Sequence, residues 1–594
     1  MLDASSIGLP DAFHAATAAK ADAGEQLRPD VETLFRTPAV HAALAAILGD
    51  DFVCLPGDGA LGYRGEGNTL DQQHHKDLTL YAVRDHRPEC VSLLYYPAEV
   101  TPERGPTALI PRTHMLGVDR GTFPQSEERL DTELRPPQTA QGWRESLTGW
   151  NGLVFSVAGP DADLPLVERD ERISSAVSLL GAGVRERQLV VGAGTVVIHH
   201  EDIFHRRCRG GAPEGSGPGT VPFRPMIKRA VYRGSEPVRC SASPSAPAGL
   251  SAMHAAMWRW THGAPPTATE ESDADLAGHE AALLSTAVER EVERVDAAYA
   301  LASLCARGGE RADAAADALF AALEAEDEAP ARAATNALGS AGVSILPRLL
   351  KTLWAGWAGS YGGARRVPEK QRLATAAAHA LGHCVTMDVP PEQLGRIGAA
   401  LLSVVRACLS AINTRMRSIP AEARAEMAEV AAIGGPGGRG YDGAAYASFE
   451  EIDWDVTELR RTLCTAARAM GCVGQAAVLA DDVDTATALG RQLLTFVGME
   501  SDPGFELPTH LQLTAVRENA AHALLRLCAR RQHKSPAWAL PEADGGGAGF
   551  GLGGIGHGAR LVALGLARLR AQVGDGTANA AQRAVLQLME QAQN

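Results

Sequence analysis

The sequence predicts a multidomain chain: a jelly roll (a double-stranded β-helix, cupin-like) at the N-terminal end and an all-α solenoid of repeated helices at the C-terminal end. Three observations predict it. Short β-rich runs broken by Pro and Gly fill the first 240 residues, and alanine- and leucine-rich helical periodicity fills the chain beyond about residue 285. Between them lies a stretch rich in Pro, Ser and acidic residues, as linkers are. With 594 residues the chain exceeds what one domain usually carries. The expected division is therefore 1–240, a linker with a short helix at 241–285, and 286–594.

In the first segment, VETLFRTPAVHAALAAILG (31–49) has apolar residues at three- and four-residue spacing and predicts a helix. CVSLLYYPAEV (90–100), PTALIP (106–111), RQLVVGAGTVVIHH (187–200) and RPMIKRAVYR (224–233) predict strands. Strands without regular intervening helices point to a sandwich or jelly roll, here with a helical lead-in. In the linker, MHAAMWRW (253–260) predicts a short helix that packs back on the first domain.

The last segment repeats itself. DAAYALASL (296–304), AATNALGSAG (333–342), ATAAAHALGHC (374–384), CTAARAMGCVG (464–474) and ENAAHALLRLC (518–528) share one alanine-rich pattern. Aligning Leu301, Leu338, Leu381, Met470 and Leu524 gives steps of 37, 43, 89 and 54 residues. The second step fits one HEAT or armadillo unit of roughly 40–47 residues and the third fits two. Small residues on one face let helices approach closely, and each helical pair leaves an apolar face that only its neighbours cover, which makes a HEAT-like solenoid. An irregular alanine-rich bundle is the alternative. The glycine-rich stretches 434–443 and 545–558 contain neither GKS nor GKT and predict loops.

Bulk charge narrows the function. The formal net charge of −15 argues against nucleic acid or an anionic membrane as a general partner. No uninterrupted apolar run approaches the roughly 20 residues of a bilayer span, so no membrane span is expected. The 10 cysteines form no CxxC pair and read as buried small hydrophobes. The start MLDASSIGLPDAF lacks a basic-then-apolar signal pattern, and the expectation is a soluble cytoplasmic protein.

The chemistry-bearing signal is in QQHHKDLTLY (72–81). His75 and Asp77 stand two apart in a strand-like context, so both side chains leave one face. A third ligand from a distant strand completes three facial positions around an octahedral Fe(II). The pair alone is weak among 18 histidines, and a second match occurs at His200-Glu201-Asp202. Context separates the two. His75-Lys76-Asp77 is followed by YYPAEVTPERGPTALIPRTHMLG (95–117), then GAGTVVIHHEDIFHRR (192–207), then, after a Gly/Pro-rich insertion, FRPMIKRAVYR (223–233).

Over roughly residues 30–235 these segments resemble the phytanoyl-CoA dioxygenase family of Fe(II)/2-oxoglutarate oxygenases. GPTALIPRTH resembles that family's Gly-Pro…Pro-x-Ser/Thr-His segment, and GTVVIHHEDIFHR its strand leading to the distal histidine. The resemblance implies His75, Asp77 and His205 as iron ligands, Arg224 as the clamp on the distal carboxylate of 2-oxoglutarate, and O2 as second co-substrate. A planar guanidinium suits a carboxylate because it offers two parallel hydrogen bonds. Arg224 lies 19 residues after His205, further than the family's usual spacing, and Arg206, Arg207 and Arg209 are rivals for the clamp. Thr107 and Tyr95 are candidates to touch 2-oxoglutarate from neighbouring strands, with core packing the other reading of Tyr95. His199, His200 and Asp202 read as strand-end polar groups, with support of the iron ligands the other reading, and His114 as structural rather than a ligand.

The resemblance implies hydroxylation of an aliphatic C–H bond in a small-molecule or protein substrate. Retention of Asp77 favours hydroxylation over halogenation. Region 118–190, with Trp143 and Trp150, is the expected lid. The helical repeats are expected to dock a substrate or protein partner. Two alternatives stay open: a catalytically silent scaffold acting through its repeats, and a cupin-type metalloenzyme that needs no 2-oxoglutarate. Metal binding by His-Glu pairs within the repeats, as in deoxyhypusine hydroxylase, is rejected because the only such dipeptides are His200-Glu201 and His279-Glu280.

Overall fold

The computed structural model describes residues 1–23, 25, 27–54, 85–115, 185–208, 224–237, 246–264, 273–287, 290–325, 327–360, 368–385, 389–418, 453–498, 514–529 and 556–593. His75, Asp77, Trp143, Trp150 and Arg209 lie outside them. The described residues form two compact units. The first runs to Arg233; the second takes Gly234 onward together with Asp85–Arg87.

The first unit opens with α1 (Ala4–Ile7), α2 (Asp11–Ala23), α3 (Arg28–Arg36) and α4 (Pro38–Leu48). The single helix expected over 31–49 is thus two, bent by 76°. Pro38 disfavours helical backbone at the residue before it, and Thr37 accordingly adopts φ −65°, ψ 135°. Proline at the first position of α4 then starts the second helix without losing a hydrogen bond.

Among the described residues seven strands follow: β1 (Val53–Cys54), β2 (Cys90–Tyr96), β3 (Thr107–Ile110), β4 (Arg187–Gln188), β5 (Thr195–His200), β6 (Phe204–Arg207) and β7 (Ile227–Tyr232). They make two antiparallel sheets, ordered β1-β7-β2-β5 and β4-β3-β6. β2 explains the arrangement. Every residue of CVSLLYY is buried, as a strand covered on both faces requires. Val91, Leu93 and Tyr95 pack with Phe35, Leu44 and Phe52 of the helical lead-in, whereas Leu94 and Tyr96 pack with Leu109, Ile203 and Met226. The four-stranded sheet is therefore sandwiched between helices and the second sheet, and the two-sheet arrangement agrees with the expected jelly-roll class.

The second unit is helical: α5 (Ala252–Thr261), α6 (Asp273–Leu283), α7 (Glu291–Arg307), α8 (Glu310–Leu323), α9 (Glu328–Leu338), α10 (Leu346–Ser360), α11 (Pro368–Cys384), α12 (Pro391–Ser418), α13 (Asp453–Leu479), α14 (Val483–Val497), α15 (Thr514–Leu527), α16 (Gly556–Gly574) and α17 (Ala580–Gln593). Two of these helices fall inside the expected linker. α5 packs on α7 of this unit, with Met253 N donating to Asp296 Oδ1 at 3.0 Å.

The helices stack in two rows. One runs α7–α9–α11–α13–α15–α16, the other α10–α12–α14–α17. Leu301, Leu338, Leu381, Met470 and Leu524 all fall in the first row and all have no exposed surface. Glycine sets the closeness of that row. A Cβ on Gly382 would lie 2.7 Å from Ala469 Cα, and one on Gly471 would lie 2.7 Å from Ala523 Cα. Each glycine directly follows an aligned Leu or Met, and each opposing alanine precedes the next.

Two stretches here, Pro391–Ala411 and Arg461–Leu479, reach the length and mean hydropathy of a bilayer span, contrary to the sequence expectation. Within the second, 94% of residues are buried in the unit, so its apolar surface is used as helical core. All nine described cysteines are buried and none is in a disulfide.

The backbone contact at Gly471 cannot yield, so Gly471→Val should overpack it and cost about 1–3 kcal/mol or more. Gly278→Ala, in α6 with no atom within 4 Å of the new methyl, should be neutral or slightly stabilising. Urea titration of the two full-length variants compares them directly.

Candidate functional site

Strand register decides which side chains meet. β3 and β6 pair Thr107 with Arg207, Ala108 with Arg206, Leu109 with His205 and Ile110 with Phe204. Alternation then sends Thr107, Leu109 and His205 to one face and Ala108, Arg206 and Phe204 to the other. Leu109 packs with Leu94, Tyr96, Val197 and Met226, so the face carrying His205 is the one turned toward the four-stranded sheet.

His205 is buried, and its Nδ1 lies 3.1 Å from Ile203 O. A carbonyl oxygen only accepts, so Nδ1 carries a proton, which leaves Nε2 as the nitrogen that can ligate, the arrangement of a backbone-oriented metal ligand. His199, two residues on from Val197 along β5, brings its ring centroid to 5.6 Å from that of His205. Its Nδ1 lies 3.0 Å from His200 O, which fixes the same tautomer. Opposite His199 on β2, Ser92 Oγ donates to Glu201 Oε1 at 2.7 Å. Burial, and after it the Glu201 carboxylate, push the Cys90 thiol well above its usual range.

Arg224 reaches the same region. It is almost fully buried, and its Nη1 donates to Thr107 Oγ1 at 3.2 Å, while the Thr107 hydroxyl lies 3.8 Å from Met226 Sδ. Among its rivals, Arg206 points to the opposite face of its sheet and is held there by Glu186, Nε to Oε2 and Nη2 to Oε1 both at 2.7 Å. The structure thus gathers His205, Thr107 and Arg224. A buried guanidinium held by Thr107, on the sheet face that also carries a buried imidazole, is a donor set suited to a metal-chelated dicarboxylate.

Tyr95 is not among them. It sits at an odd position of β2, within the core under the helices, and its Oη lies 2.7 Å from His14 Nδ1. Of the two readings of Tyr95, contact with 2-oxoglutarate or core packing, its place in this core agrees with the second; burial pushes its phenol pKa upward. His114 stacks on His200 at 5.2 Å, and His200 Nδ1 accepts from Asp202 N at 3.0 Å, so these three order the turn after β5. The residue that sequence reasoning placed too lightly is His199. Its two-residue offset from Val197 in an alternating strand was the available signal.

Residues 10–206 match the family model for phytanoyl-CoA dioxygenase (PhyH). The match contains His75, Asp77, Thr107 and His205; Arg224 follows it. No curated protein and no solved structure matches the chain. The matched family is typically one of Fe(II)/2-oxoglutarate oxygenases.

Two outcomes follow from these placements. Tyr95→Phe removes one buried hydrogen bond and should cost about 0.5–1.5 kcal/mol in thermal unfolding while leaving metal binding unchanged. Glu186→Ala strands the Arg206 charge and should cost about 3–5 kcal/mol, most of it recovered by Glu186→Leu combined with Arg206→Met.

Proposed function

We propose that the first unit is an Fe(II)- and 2-oxoglutarate-dependent dioxygenase that hydroxylates an aliphatic C–H bond. The observation that carries this reading is the convergence of His205, with Nε2 as the nitrogen that can ligate, and the Arg224–Thr107 pair on one side of the three-stranded sheet. The family match over the stretch that contains His75 and Asp77 supports it.

His75, Asp77 and His205 would hold the iron, which supplies oxidative decarboxylation of 2-oxoglutarate to succinate and CO2 coupled to substrate hydroxylation. The protein's part is orientation and exclusion of water. Ile203 O holds the His205 ring in the ligating tautomer. Thr107 steers the Arg224 guanidinium, which grips the distal carboxylate through charge-assisted hydrogen bonds. Leu94, Tyr96, Leu109, Val197 and Met226 form the apolar wall that keeps the adjoining space dry. A low local dielectric strengthens each of these polar contacts.

The two-row helical unit is read as HEAT-like and as a docking arm for a protein partner or substrate. The close glycine contacts at Gly382 and Gly471 support the repeat reading. A groove of about 430 Å³ lined by Leu350, Lys351, Trp354, Arg396 and Ser403, with Trp354 about half exposed, supports the docking role.

Anaerobic titration of the full chain with Fe(II) and then 2-oxoglutarate tests the enzyme reading. The wild type should show the weak visible charge-transfer band of the chelate and release succinate when O2 is admitted. His205→Ala should abolish the band. Arg224→Gln should retain iron while weakening 2-oxoglutarate by about 10–100-fold, the loss expected of a charge-assisted contact of about 1.5–3 kcal/mol. No band and no succinate from the wild type would overturn this reading and leave the silent scaffold and the metalloenzyme that needs no 2-oxoglutarate.

A further inference from the structure

A second group of metal-type donors lies within the helical unit. Asp85 Oδ2 is 2.7 Å from His383 Nε2 and 3.9 Å from His379 Nε2, and each residue offers a donor atom within 4.8 Å of the others. The three side chains are about 95% buried. His379 and His383 stand four apart on α11, on one helical face, with ring centroids 4.5 Å apart. The Asp85 carboxylate comes from the Asp85–Arg87 stretch, and Arg87 N donates to its Oδ1 at 2.9 Å, which turns Oδ2 toward the rings.

The hydrogen bonding of this group is incomplete. His379 Nε2 and His383 Nδ1 are buried without a hydrogen-bond partner, and Asp85 Oδ2 is shared between His383 Nε2 at 2.7 Å and His379 Nε2 at 3.9 Å. Leaving such groups unsatisfied is costly, and a cation bound by the carboxylate and both Nε2 atoms removes the cost for Asp85 Oδ2 and His379 Nε2. The separations of 2.7 and 3.9 Å straddle the ~3 Å expected between two donors that are each about 2.0–2.2 Å from one ion. Burial, and next the neighbouring His383, hold His379 well below its usual value; burial and Arg87 lower His383 as well. Both rings are then neutral, the form that binds metal. Against the upward push of burial, His383 and Arg87 hold the Asp85 carboxyl well below the usual carboxylate range.

The surroundings select the ion. Glu236, His383 and Cys472 form an adjacent donor trio, but Arg526 already serves it, Nη2 at 3.2 Å from Glu236 Oε1 and Nη1 at 3.2 Å from Cys472 Sγ. Arg87 and Arg468 also face the cluster; burial and Arg526 lower the Arg468 guanidinium to about 10, a mark of crowded positive charge. A hard cation held by charge alone gains little here. A borderline ion that bonds strongly to imidazole nitrogen does better.

We propose that Asp85, His379 and His383 form a second, structural transition-metal site, with zinc as its fitting ion, that ties the Asp85–Arg87 stretch to α11. It stands independently of the dioxygenase reading.

The test uses the full chain, stripped with chelator, in a His205→Ala background that disables the first site. After dialysis against zinc alone, elemental analysis should find one zinc per chain, and zinc should raise the melting temperature. Adding His379→Gln and His383→Gln together should abolish retention. Adding Asp85→Asn should greatly reduce it and remove the thermal shift. Should the double glutamine variant fail to fold, Asp85→Asn decides alone. The proposal is overturned if the His205→Ala chain retains no zinc, or retains it equally with these ligands replaced. A missing chelate band in the wild type would count against the dioxygenase reading without touching this one.

Discussion

The first unit depends on a strand that is buried on both faces. β2 lies second from the edge of its sheet, between β7 and β5, and both of its faces are occupied, by helices on one and the second sheet on the other. A strand in that position has no solvent face to anchor its register, so the apolar shapes on each side must do so. Slipping the pairing by one residue would put Tyr95 where Leu94 packs and would carry Ser92 away from Glu201. The site inherits this discipline. His199 reaches His205, and Met226 reaches Thr107, only because β5 and β7 are registered on β2 as they are.

The same feature explains which parts of the fold could be read from the sequence. CVSLLYY and TVVIHH announced themselves as strands by runs rich in apolar, β-branched and aromatic residues, and IKRAVY by alternation. A run without alternation does not say which face is which, and that is where Tyr95 went astray: nothing in Leu94-Tyr95-Tyr96 marks the middle residue as facing the helices. Arg206 and Arg224 were likewise indistinguishable by type. Only β6 register and the distant Glu186 show that Arg206 belongs to an internal ion pair. The Thr37–Pro38 break was missed although the sequence carries its signal in Pro38. Helical periodicity continued through it, but proline's constraint on the preceding residue overrode periodicity.

In the helical unit the repeat was visible because packing demanded small residues at a fixed place beside a large one. Leu381-Gly382 and Met470-Gly471 are the same device used twice: the large side chain fills the core while the glycine admits the next helix's backbone. What the pattern hid was a contribution from outside it. His379 and His383 look like ordinary members of an alanine-rich helix until Asp85, from sequence assigned by length and strand content to the other segment, arrives between them.

The four histidines illustrate how secondary structure governs the orientation of an imidazole. His199 and His205 sit on or beside strands, where carbonyls just past the ladder are within reach of the ring; His200 O and Ile203 O set their tautomers at no cost to the sheet. On α11 the rings are less well served: His379 Nε2 and His383 Nδ1 are buried without a hydrogen-bond partner, so a group from another segment must help to orient them. The Asp85 carboxylate, itself fixed by Arg87 N, is that group, and it orients both rings through a single oxygen. One oxygen cannot complete two buried imidazoles by hydrogen bonds alone. The helix-borne cluster therefore calls for a further positive centre, a demand that the strand-borne rings meet from the backbone.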